Sequence, residues 1–219
     1  MLVVETHMHT RVSDGKPTPR EAVRAALRIG LDAIVVTDHD TFLGAALAAR
    51  EARGTSLVVV HGSEVRTLWG DVVVACTSMP SGSPPRDPLA LKEWADENGC
   101  VTVAVHPFNP FKRGVGFRIF RHPEAFHAIE VWNGWSPPQL NLLALLAWRK
   151  LRLPATSGSD AHVAGMIGLS PTIIDSPASP DGIVDAIARG KCRPTIRIPG
   201  PRKVLDGILW SIERRVTQR

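Results

Sequence analysis

The sequence predicts an α/β protein in which buried, mainly parallel strands alternate with helices. Short runs rich in Val and Ile recur along most of the 219 residues, and stretches with helix start and stop signals separate them. Most of these runs lack polar–apolar alternation, which is typical of strands covered on both faces. Repeated strand–helix alternation indicates parallel strands joined by helical crossovers.

Eight strands are predicted, each from one short apolar run. In chain order they are Leu2–Thr6, Ala33–Thr37, Ser56–His61, Val72–Cys76, Val101–Val105, Ala128–Trp132, Pro154–Ser157 and Thr172–Ile174. Seven or so strand–helix units can form either a barrel or an open doubly wound sheet. No GxGxxG or Walker loop is present in the sequence, so a glycine-loop nucleotide site is not indicated.

The helices between these strands have recognisable boundaries. Thr18-Pro19-Arg20-Glu21 is a capping box with proline at the first helical position, and Gly30 ends that helix. Further helices are predicted to begin after Asp87, Pro137 and Ser179. A last helix begins at Gly200-Pro201, and its apolar residues recur with helical spacing.

Composition and charge set broad limits on function. Hydrophobic residues make up 44% of the chain and charged residues 21%, as in an ordinary globular domain. The formal net charge of +5 favours anionic partners, such as phosphate esters or nucleic acid, or reflects a solvated basic surface. The longest apolar run, Leu140 to Trp148, is too short to span a membrane, and no signal peptide is recognised. We therefore expect no membrane association.

The number and spacing of the cysteines indicate a cellular compartment. Cys76, Cys100 and Cys192 are odd in number and widely scattered, so we expect neither a disulfide framework nor a CxxC metal motif. Unpaired cysteines fit a reducing environment, and a cytoplasmic location is predicted.

Histidines and carboxylates gather at the ends of the predicted strands. They are His7, His9, Asp14, Asp38, His39, Asp40, Glu64, His106, Glu130, Asp160 and His162. Because a strand has a period of two, His7 and His9 project from the same face. If the strands form a barrel, their carboxyl ends meet at one rim, and these side chains are expected to converge there.

Such a set of side chains predicts a metal cluster. Imidazole and carboxylate groups suit Zn, Mn or Fe rather than a soft metal. The set exceeds what one ion can use, so two or three divalent ions are expected. A lone histidine at a strand end is usually a capped or hydrogen-bonded residue, and Asp38 and Asp40 alone would fit helix N-caps. Recurrence at successive strand ends favours the metal interpretation.

Several motifs resemble, in order and spacing, the PHP (polymerase and histidinol phosphatase) domain family. They are His7-Met8-His9-Thr10, Asp14-Gly15, Thr37-Asp38-His39, Gly62-Ser63-Glu64, His106-Pro107 and Gly158-Ser159-Asp160-Ala161-His162. HxHT or TDH alone would be a weak signal, whereas the whole series is specific. The resemblance runs from residue 1 to about residue 195. It implies an α/β fold, a distorted (β/α)7 TIM-like barrel, with a metal site at the C-terminal ends of the strands.

The resemblance also implies how the metal ligands are shared. One ion would be held by His7, His9, Glu64 and Asp160, a second by Asp14, His39 and His162, and a third by Glu64, His106 and one more histidine. The sequence departs from the family at that last ligand, because Val72 to Thr77 contains no histidine. Asp71, Cys76 or water would have to complete the third site. Glu130 is expected to lie behind the ligands.

The domain organisation follows from the extent of the resemblance. Residues 1–199 are expected to form the barrel domain, and residues 200–219 a C-terminal helix. This helix is predicted either to pack beneath the barrel or to join a dimer interface, and the oligomeric state is left open.

The main functional prediction is hydrolysis of a phosphate ester of a small metabolite or nucleotide. A metal-bridged hydroxide would attack phosphorus after the ions lower the pKa of water. His106 and Asp38 are the predicted catalytic residues: His106 (or His162) protonates the leaving group or faces the phosphate, and Asp38 orients a neighbouring histidine. Lys112 and Arg113 are predicted to contact the phosphate, unless they belong to an exposed basic loop.

Three alternatives compete with this prediction. The first is a nuclease that trims short oligonucleotides, with Trp69, Trp132 and Trp135 available for base stacking. The second is a non-catalytic PHP module that binds a partner, which the full ligand series disfavours. The third is an amidohydrolase, which also begins with HxH but needs a mid-barrel lysine where this chain has Glu64.

Overall fold

The computed structural model describes residues 1–217 of the chain. The strands are β1 (Leu2–Glu5), β2 (Ala33–Val36), β3 (Val58–Arg66), β4 (Asp71–Cys76), β5 (Cys100–Ala104), β6 (Ala128–Asn133), β7 (Ala155–Gly158), β8 (Thr172–Ile174) and β9 (Cys192–Pro194). The α-helices are α1 (Pro19–Arg28), α2 (Leu43–Glu51), α3 (Pro88–Glu97), α4 (Arg118–Arg121), α5 (Pro138–Leu151), α6 (Pro180–Ala188) and α7 (Pro201–Thr217).

The strands form one sheet in the order β7-β6-β5-β4-β3-β2-β1-β8-β9. Strands β1 to β3 are parallel to one another, and so are β5 to β7. Strand β4 runs antiparallel to both of its neighbours, and β8 and β9 extend the β1 edge in antiparallel fashion. The prediction of mainly parallel strands therefore holds for two groups of three, with β4 reversed between them.

The two edges of the sheet meet and nearly close a barrel. Beyond β1, Met8 pairs with Ala161 in a parallel bridge, and the Asp160 N–H donates to the His7 carbonyl at 2.8 Å. Farther down β7, the Ser157 N–H donates to Thr172 Oγ1 at 2.9 Å. These bonds join β7 to both β1 and β8, and they confirm the predicted barrel-like α/β fold.

Alternate residues of the strands face the inside and the outside of the barrel. In β2, Ala33 and Val35 pack in the interior together with Ile183 and Ile187 of α6, which are completely or almost completely buried. Ile34 of the same strand packs on the other face, in the apolar cluster that includes residues of α1 and α2. Helix α6 thus covers one end of the barrel with apolar side chains, which leaves the opposite end for a polar site.

Strand β4 also overturns the prediction for the cysteines. Cys76 at its end lies directly opposite Cys100 at the start of β5, and the two form a disulfide. The expectation of no disulfide is wrong, because an antiparallel pair brings together two residues 24 positions apart. Cys192 is a free thiol.

Helix α7, the predicted C-terminal helix, packs on a loop of the barrel. The Trp210 Nε1–H donates to the Asp14 carbonyl at 3.0 Å, so the helix lies against the loop that follows β1. This contact lies at the opposite end of the barrel from α6, and a role of α7 at a dimer interface stays a prediction. None of the helices within residues 1–217 is both long enough and apolar enough to cross the membrane.

Candidate metal centre

The histidines that follow β1 are the centre of the site. His7 and His9 are 1% and 0% exposed. The Nε2 atom of His9 lies 3.1 Å from Glu64 Oε2 and 3.5 Å from Asp160 Oδ1. His7 Nε2 lies 3.4 Å from the same Glu64 oxygen. The structure thus brings together the four residues that the resemblance assigns to one ion.

The second predicted group gathers around Asp14. Its Oδ1 atom lies 3.3 Å from His162 Nε2 and 3.4 Å from His9 Nδ1, and its Oδ2 atom lies 3.6 Å from His39 Nε2. His39 reaches the first group as well, with Nδ1 3.4 Å from Glu64 Oε2. The two groups therefore share His9 and His39 as neighbours and form one continuous cluster.

His106 lies on the far side of Glu64. Its Nε2 atom is 2.9 Å from Glu64 Oε1, so the two Glu64 oxygens face different histidines. The backbone of His106 has φ of 32°, and that of Asp160 has φ of 52°. Left-handed backbone is costly for residues other than glycine and is often retained at functional sites. Both side chains are held in the cluster by backbones that local preference alone would not select.

Cys76 and Asp71, the two residues expected to replace the missing histidine of the third metal site, lie in different places. Cys76 cannot serve as a thiolate ligand, because it is bonded to Cys100 at the far end of β4. Asp71, at the start of β4, lines the same cleft as His106, and Arg113 Nε donates to its Oδ1 at 3.0 Å. Burial and the nearby Glu64 charge raise the pKa of Asp71 to about 6, against the opposing effect of Arg113. The reversal of β4 is what puts Asp71 near the site and Cys76 away from it.

Glu130, which the resemblance places behind the ligands, contacts two of the histidines. Its Oε1 lies 3.1 Å from His7 Nδ1, and its Oε2 accepts the His106 N–H at 2.8 Å. Asn133 Nδ2 donates both to Glu130 Oε2 and to Asp160 Oδ2. A carboxylate on Nδ1 fixes the His7 ring so that Nε2 points into the cluster.

Asp38 contacts the turn that follows β1. Its carboxylate accepts the Thr10 N–H at 2.8 Å and the Ser13 hydroxyl at 2.7 Å, and the Thr10 hydroxyl donates to it at 2.6 Å. These bonds fix the turn that carries Asp14 rather than a histidine ring. Among the hydrogen bonds of the described residues, these partners are not histidine rings, and the role of Asp38 in orienting a neighbouring histidine stays a prediction.

Glu5 is a supporting residue that the sequence analysis missed. It is completely buried, and its carboxylate accepts the N–H groups of His7, Ser159 and Gly168 at 3.1, 2.9 and 2.7 Å. Burial nevertheless raises the pKa of Glu5 above its ordinary value. A glutamate inside an otherwise apolar strand was the available signal. Glu5 ties the first histidine to the loop that carries Asp160.

The histidine rings carry the observation that best fits bound cations. Within the described part of the chain, buried nitrogens without a hydrogen-bond partner include His7 Nε2, both ring nitrogens of His9, His39 Nδ1 and His106 Nδ1. Unpartnered buried polar atoms are rare, because each costs free energy. Four sets of three ligand atoms in this cluster lie within 4.8 Å of one another. A divalent cation would give these nitrogens a bonding partner. The residues present therefore fit the predicted metals.

The electrostatics agree with that fit. Burial would raise the pKa values of Glu64 and Asp160, but nearby cationic groups, chiefly His7 for Glu64 and Lys112 for Asp160, hold both well below their ordinary range. Burial lowers the pKa of His39 to about 4, which leaves its ring neutral. In contrast, Asp160 and Glu64 outweigh burial and raise the pKa of His9 to about 9. The ionised carboxylates thus draw positive charge into the cluster, as metal ions would supply.

The predicted phosphate contacts lie at the mouth of the site. Lys112 Nζ donates to Asp160 Oδ2, and Arg113 pairs with Asp71 and with the Thr67 carbonyl. Both line a cleft of about 370 Å³ that opens onto His39, Glu64 and His106. Trp135 also lines this cleft, whereas Trp132 and Trp69 do not. This volume falls within the range of small-molecule sites.

A nearly closed α/β barrel with a buried histidine–carboxylate cluster at one rim defines the class of this protein. The model of the PHP domain matches residues 5–104, and the model described as PHP-associated matches residues 138–192. These two matches confirm the resemblance to the PHP family that the motifs predicted.

Two relatives resemble stretches of this chain that differ in length. An uncharacterised protein of Methanocaldococcus jannaschii, MJ1587, is 26% identical over 147 residues, covering 61% of this chain and 83% of that protein. A 3′,5′-nucleoside bisphosphate phosphatase of Chromobacterium violaceum is 33% identical over 88 residues, covering 40% of this chain but 30% of the phosphatase.

A solved structure shows the shared fold. It is a two-domain protein from Bacteroides vulgatus containing a predicted PHP-like metal-dependent phosphoesterase, with a TM-score of 0.74 and 20% identity. The similarity covers 94% of this chain and 68% of that one.

Proposed function

We propose that this protein is a metal-dependent phosphoesterase that hydrolyses a phosphate ester of a small metabolite or nucleotide. The observation that carries the proposal is the set of unpartnered, buried histidine nitrogens beside ionised carboxylates at the floor of a cationic cleft. The match to the PHP family and a bisphosphate phosphatase among its relatives support the same chemistry.

The ligand set divides as the family pattern implies. His7, His9, Glu64 and Asp160 would hold one ion, and Asp14, His39 and His162 a second. Glu64 and His106 would begin a third site, which Asp71 is placed to assist. When bound, such ions lower the pKa of a water molecule and neutralise charge on the phosphate. Zn, Mn or Fe suits these nitrogen and oxygen donors.

The chain's own residues supply the remaining steps. Lys112 binds a phosphate oxygen at the mouth of the cleft, and Arg113 contributes positive charge from its position on Asp71. Glu130 holds the His7 ring and the His106 backbone, while Asp38 and Glu5 fix the loops that carry Asp14 and Asp160. His106 is proposed to protonate the leaving group where its ring is not engaged by a cation. The cytoplasmic location was predicted from unpaired cysteines, and the Cys76–Cys100 disulfide removes that argument.

A panel of phosphate esters tests this function. Chelator-treated protein would be assayed with Mn, Zn or Mg on nucleotides, nucleoside bisphosphates, sugar phosphates and histidinol phosphate. We expect phosphate release from at least one ester, abolished by chelation and restored by one of the metals. Absence of metal-dependent release across the whole panel would overturn the proposal.

A second candidate function is the trimming of short oligonucleotides. Arg11, Lys16, Arg24 and Arg28 line a separate groove of about 380 Å³. This groove adjoins the site, because the Lys16 N–H donates to the His162 carbonyl. A basic track beside the site suits a phosphodiester backbone. Short 5′-phosphorylated oligonucleotides in the same panel separate the two: release of mononucleotides rather than phosphate would favour the nuclease.

A further inference from the structure

We propose that helix α7 forms one wall of the substrate cleft and that its Arg214 binds the phosphate group. The proposal rests on the phosphoesterase function and adds to it a second element that contacts substrate. Four residues of the helix line the cleft that contains the metal-ligand candidates: Trp210, Ser211, Arg214 and Arg215. No motif of the resemblance reaches this segment, which begins after the last matched residue, 192.

The helix is anchored to the rim of the barrel at several points. Trp210 donates its indole N–H to the Asp14 carbonyl, and Lys16 Nζ lies 3.0 Å from Glu213 Oε2. Gly207 packs on Trp135 so closely that an added Cβ would lie 2.3 Å from the indole Cη2 atom. The absence of a side chain at Gly207 lets the helix approach the loop after β6. These contacts hold the following turn, with Arg214, above the cluster.

Arg214 pairs directly with one of the proposed metal ligands. Its Nη1 atom donates to Asp14 Oδ2, the oxygen that also lies near His39. Lys112, from the loop after β5, has the same relation to Asp160. Two cations from separate elements thus sit on two carboxylates of one cluster. A cation on a carboxylate oxygen competes with a metal ion for the charge of that oxygen.

Metal binding would redirect these cations toward the substrate. If Asp14 held an ion, its charge would be shared with that ion, and the anchored helix would keep the Arg214 guanidinium at the wall of the cleft. A phosphate bound there meets Lys112 from one element and Arg214 from the other. A guanidinium can grip phosphate through two parallel N–H···O bonds, which a lysine ammonium cannot reproduce.

This role predicts opposite effects on two affinities. Replacing Arg214 by Gln should weaken phosphate binding by about tenfold or more, because charge-assisted bonds to phosphate are lost. The same change should leave metal binding unchanged or make it tighter, because a competitor for Asp14 is removed. Arg214→Lys should recover part of the phosphate affinity. A residue that merely supports the Asp14 loop would weaken both when replaced.

Calorimetry on the full chain tests the proposal without relying on turnover. Wild type, Arg214→Gln, Arg214→Lys and the control Arg202→Gln, an exposed arginine at the start of the same helix, are stripped with chelator and titrated with Mn²⁺. Each Mn-loaded protein is then titrated with inorganic phosphate. We expect the Arg214→Gln protein alone to lose about tenfold or more in phosphate affinity, without loss of Mn²⁺ affinity.

The contrary results are distinct. Equal phosphate affinity in wild type and Arg214→Gln, or a parallel loss of Mn²⁺ affinity, would overturn the role of Arg214. Wild-type protein that binds phosphate through Arg214 but hydrolyses no ester would support this inference and contradict the proposed phosphoesterase function. Circular dichroism spectra of all four proteins should agree. If Arg214→Gln alters the fold, the comparison of wild type with Arg214→Lys, which retains the charge, takes its place.

Discussion

The two ends of the barrel bury opposite kinds of side chain, apolar at one end and ionisable at the other. At one end, α6 fills the opening with apolar side chains, and the Cys76–Cys100 disulfide joins two neighbouring strands. At the other end, buried histidines and carboxylates face one another with ring nitrogens that lack partners. Burying ionisable groups without full pairing costs free energy, whereas burying apolar surface gains it. The first end therefore contributes stability, and the second end gives up stability for chemistry.

Strand β4 takes part in both ends because of its direction. Its first residue, Asp71, lies at the polar rim with Arg113, and its last residue, Cys76, lies in the disulfide. A parallel β4 would have placed the cysteine near the site instead. One reversed strand thus decides which residue is available for chemistry and which for cross-linking.

The largest effect is expected from removing a ligand at the polar end. His9→Ala or Asp160→Ala should reduce metal-dependent phosphatase activity below about 1% of wild type, because each side chain touches several members of the cluster. The fold should persist, since the apolar end is unchanged. Steady-state kinetics and circular dichroism measure the two outcomes. His122→Ala, which removes a half-buried histidine outside the cluster that pairs with Glu124, is the matched control. Retained activity in either ligand variant would contradict the assignment.

A smaller effect is expected one layer behind the ligands. Glu130→Gln keeps the shape of the side chain but removes the charge that faces His7 Nδ1. We expect metal affinity to fall by roughly 10- to 100-fold, as is usual when a carboxylate behind a ligating histidine is lost. Titration of chelator-stripped protein with Mn²⁺ measures this change. Affinity equal to that of wild type would show that Glu130 does not tune the ligands.

The two cations at the mouth of the cleft should differ from each other. Lys112→Ala should raise KM by about tenfold, since Lys112 reaches into the cluster. Arg113→Ala should raise it by about threefold or less, because this side chain is held on Asp71 and its charge is screened by solvent. Kinetics with one ester, compared between the two variants, measure the difference. A larger effect at Arg113 would reverse their proposed roles.

The smallest effect on activity is expected at the apolar end. Replacing both Cys76 and Cys100 by Ser should lower the free energy of unfolding by about 3 kcal/mol, because the bridge closes a loop with a sequence separation of 24. Activity of the folded variant should match wild type. Denaturant unfolding and kinetics provide the two readings, with Cys192→Ser as the control. A marked loss of activity would show that the two ends are coupled.

The sequence predicted the site better than its surroundings for a physical reason. His7, His9, Glu64 and Asp160 follow or end strands whose apolar runs are easily recognised, and a barrel brings such positions to one rim. The disulfide and the role of Asp71 depend on the direction of β4, which an apolar run does not encode.

Long-range contacts account for the remaining differences. Asp38 was expected to orient a histidine, and its carboxylate accepts hydrogen bonds from Thr10 and Ser13 in a turn 28 and 25 residues away. The contact of Arg214 with Asp14 spans 200 residues. Local spacing predicts which face a residue occupies, while partners of this kind depend on how separate elements pack.

The most direct test of the central claim is the metal content of purified wild-type protein after reconstitution. Elemental analysis following exposure to Mn or Zn and removal of excess metal gives the number of ions bound per chain. The geometry of the cluster predicts two or three tightly bound ions in wild type and fewer in the His9→Ala variant. A wild-type protein that retains no metal, or a His9→Ala variant that retains as much as wild type, would contradict it.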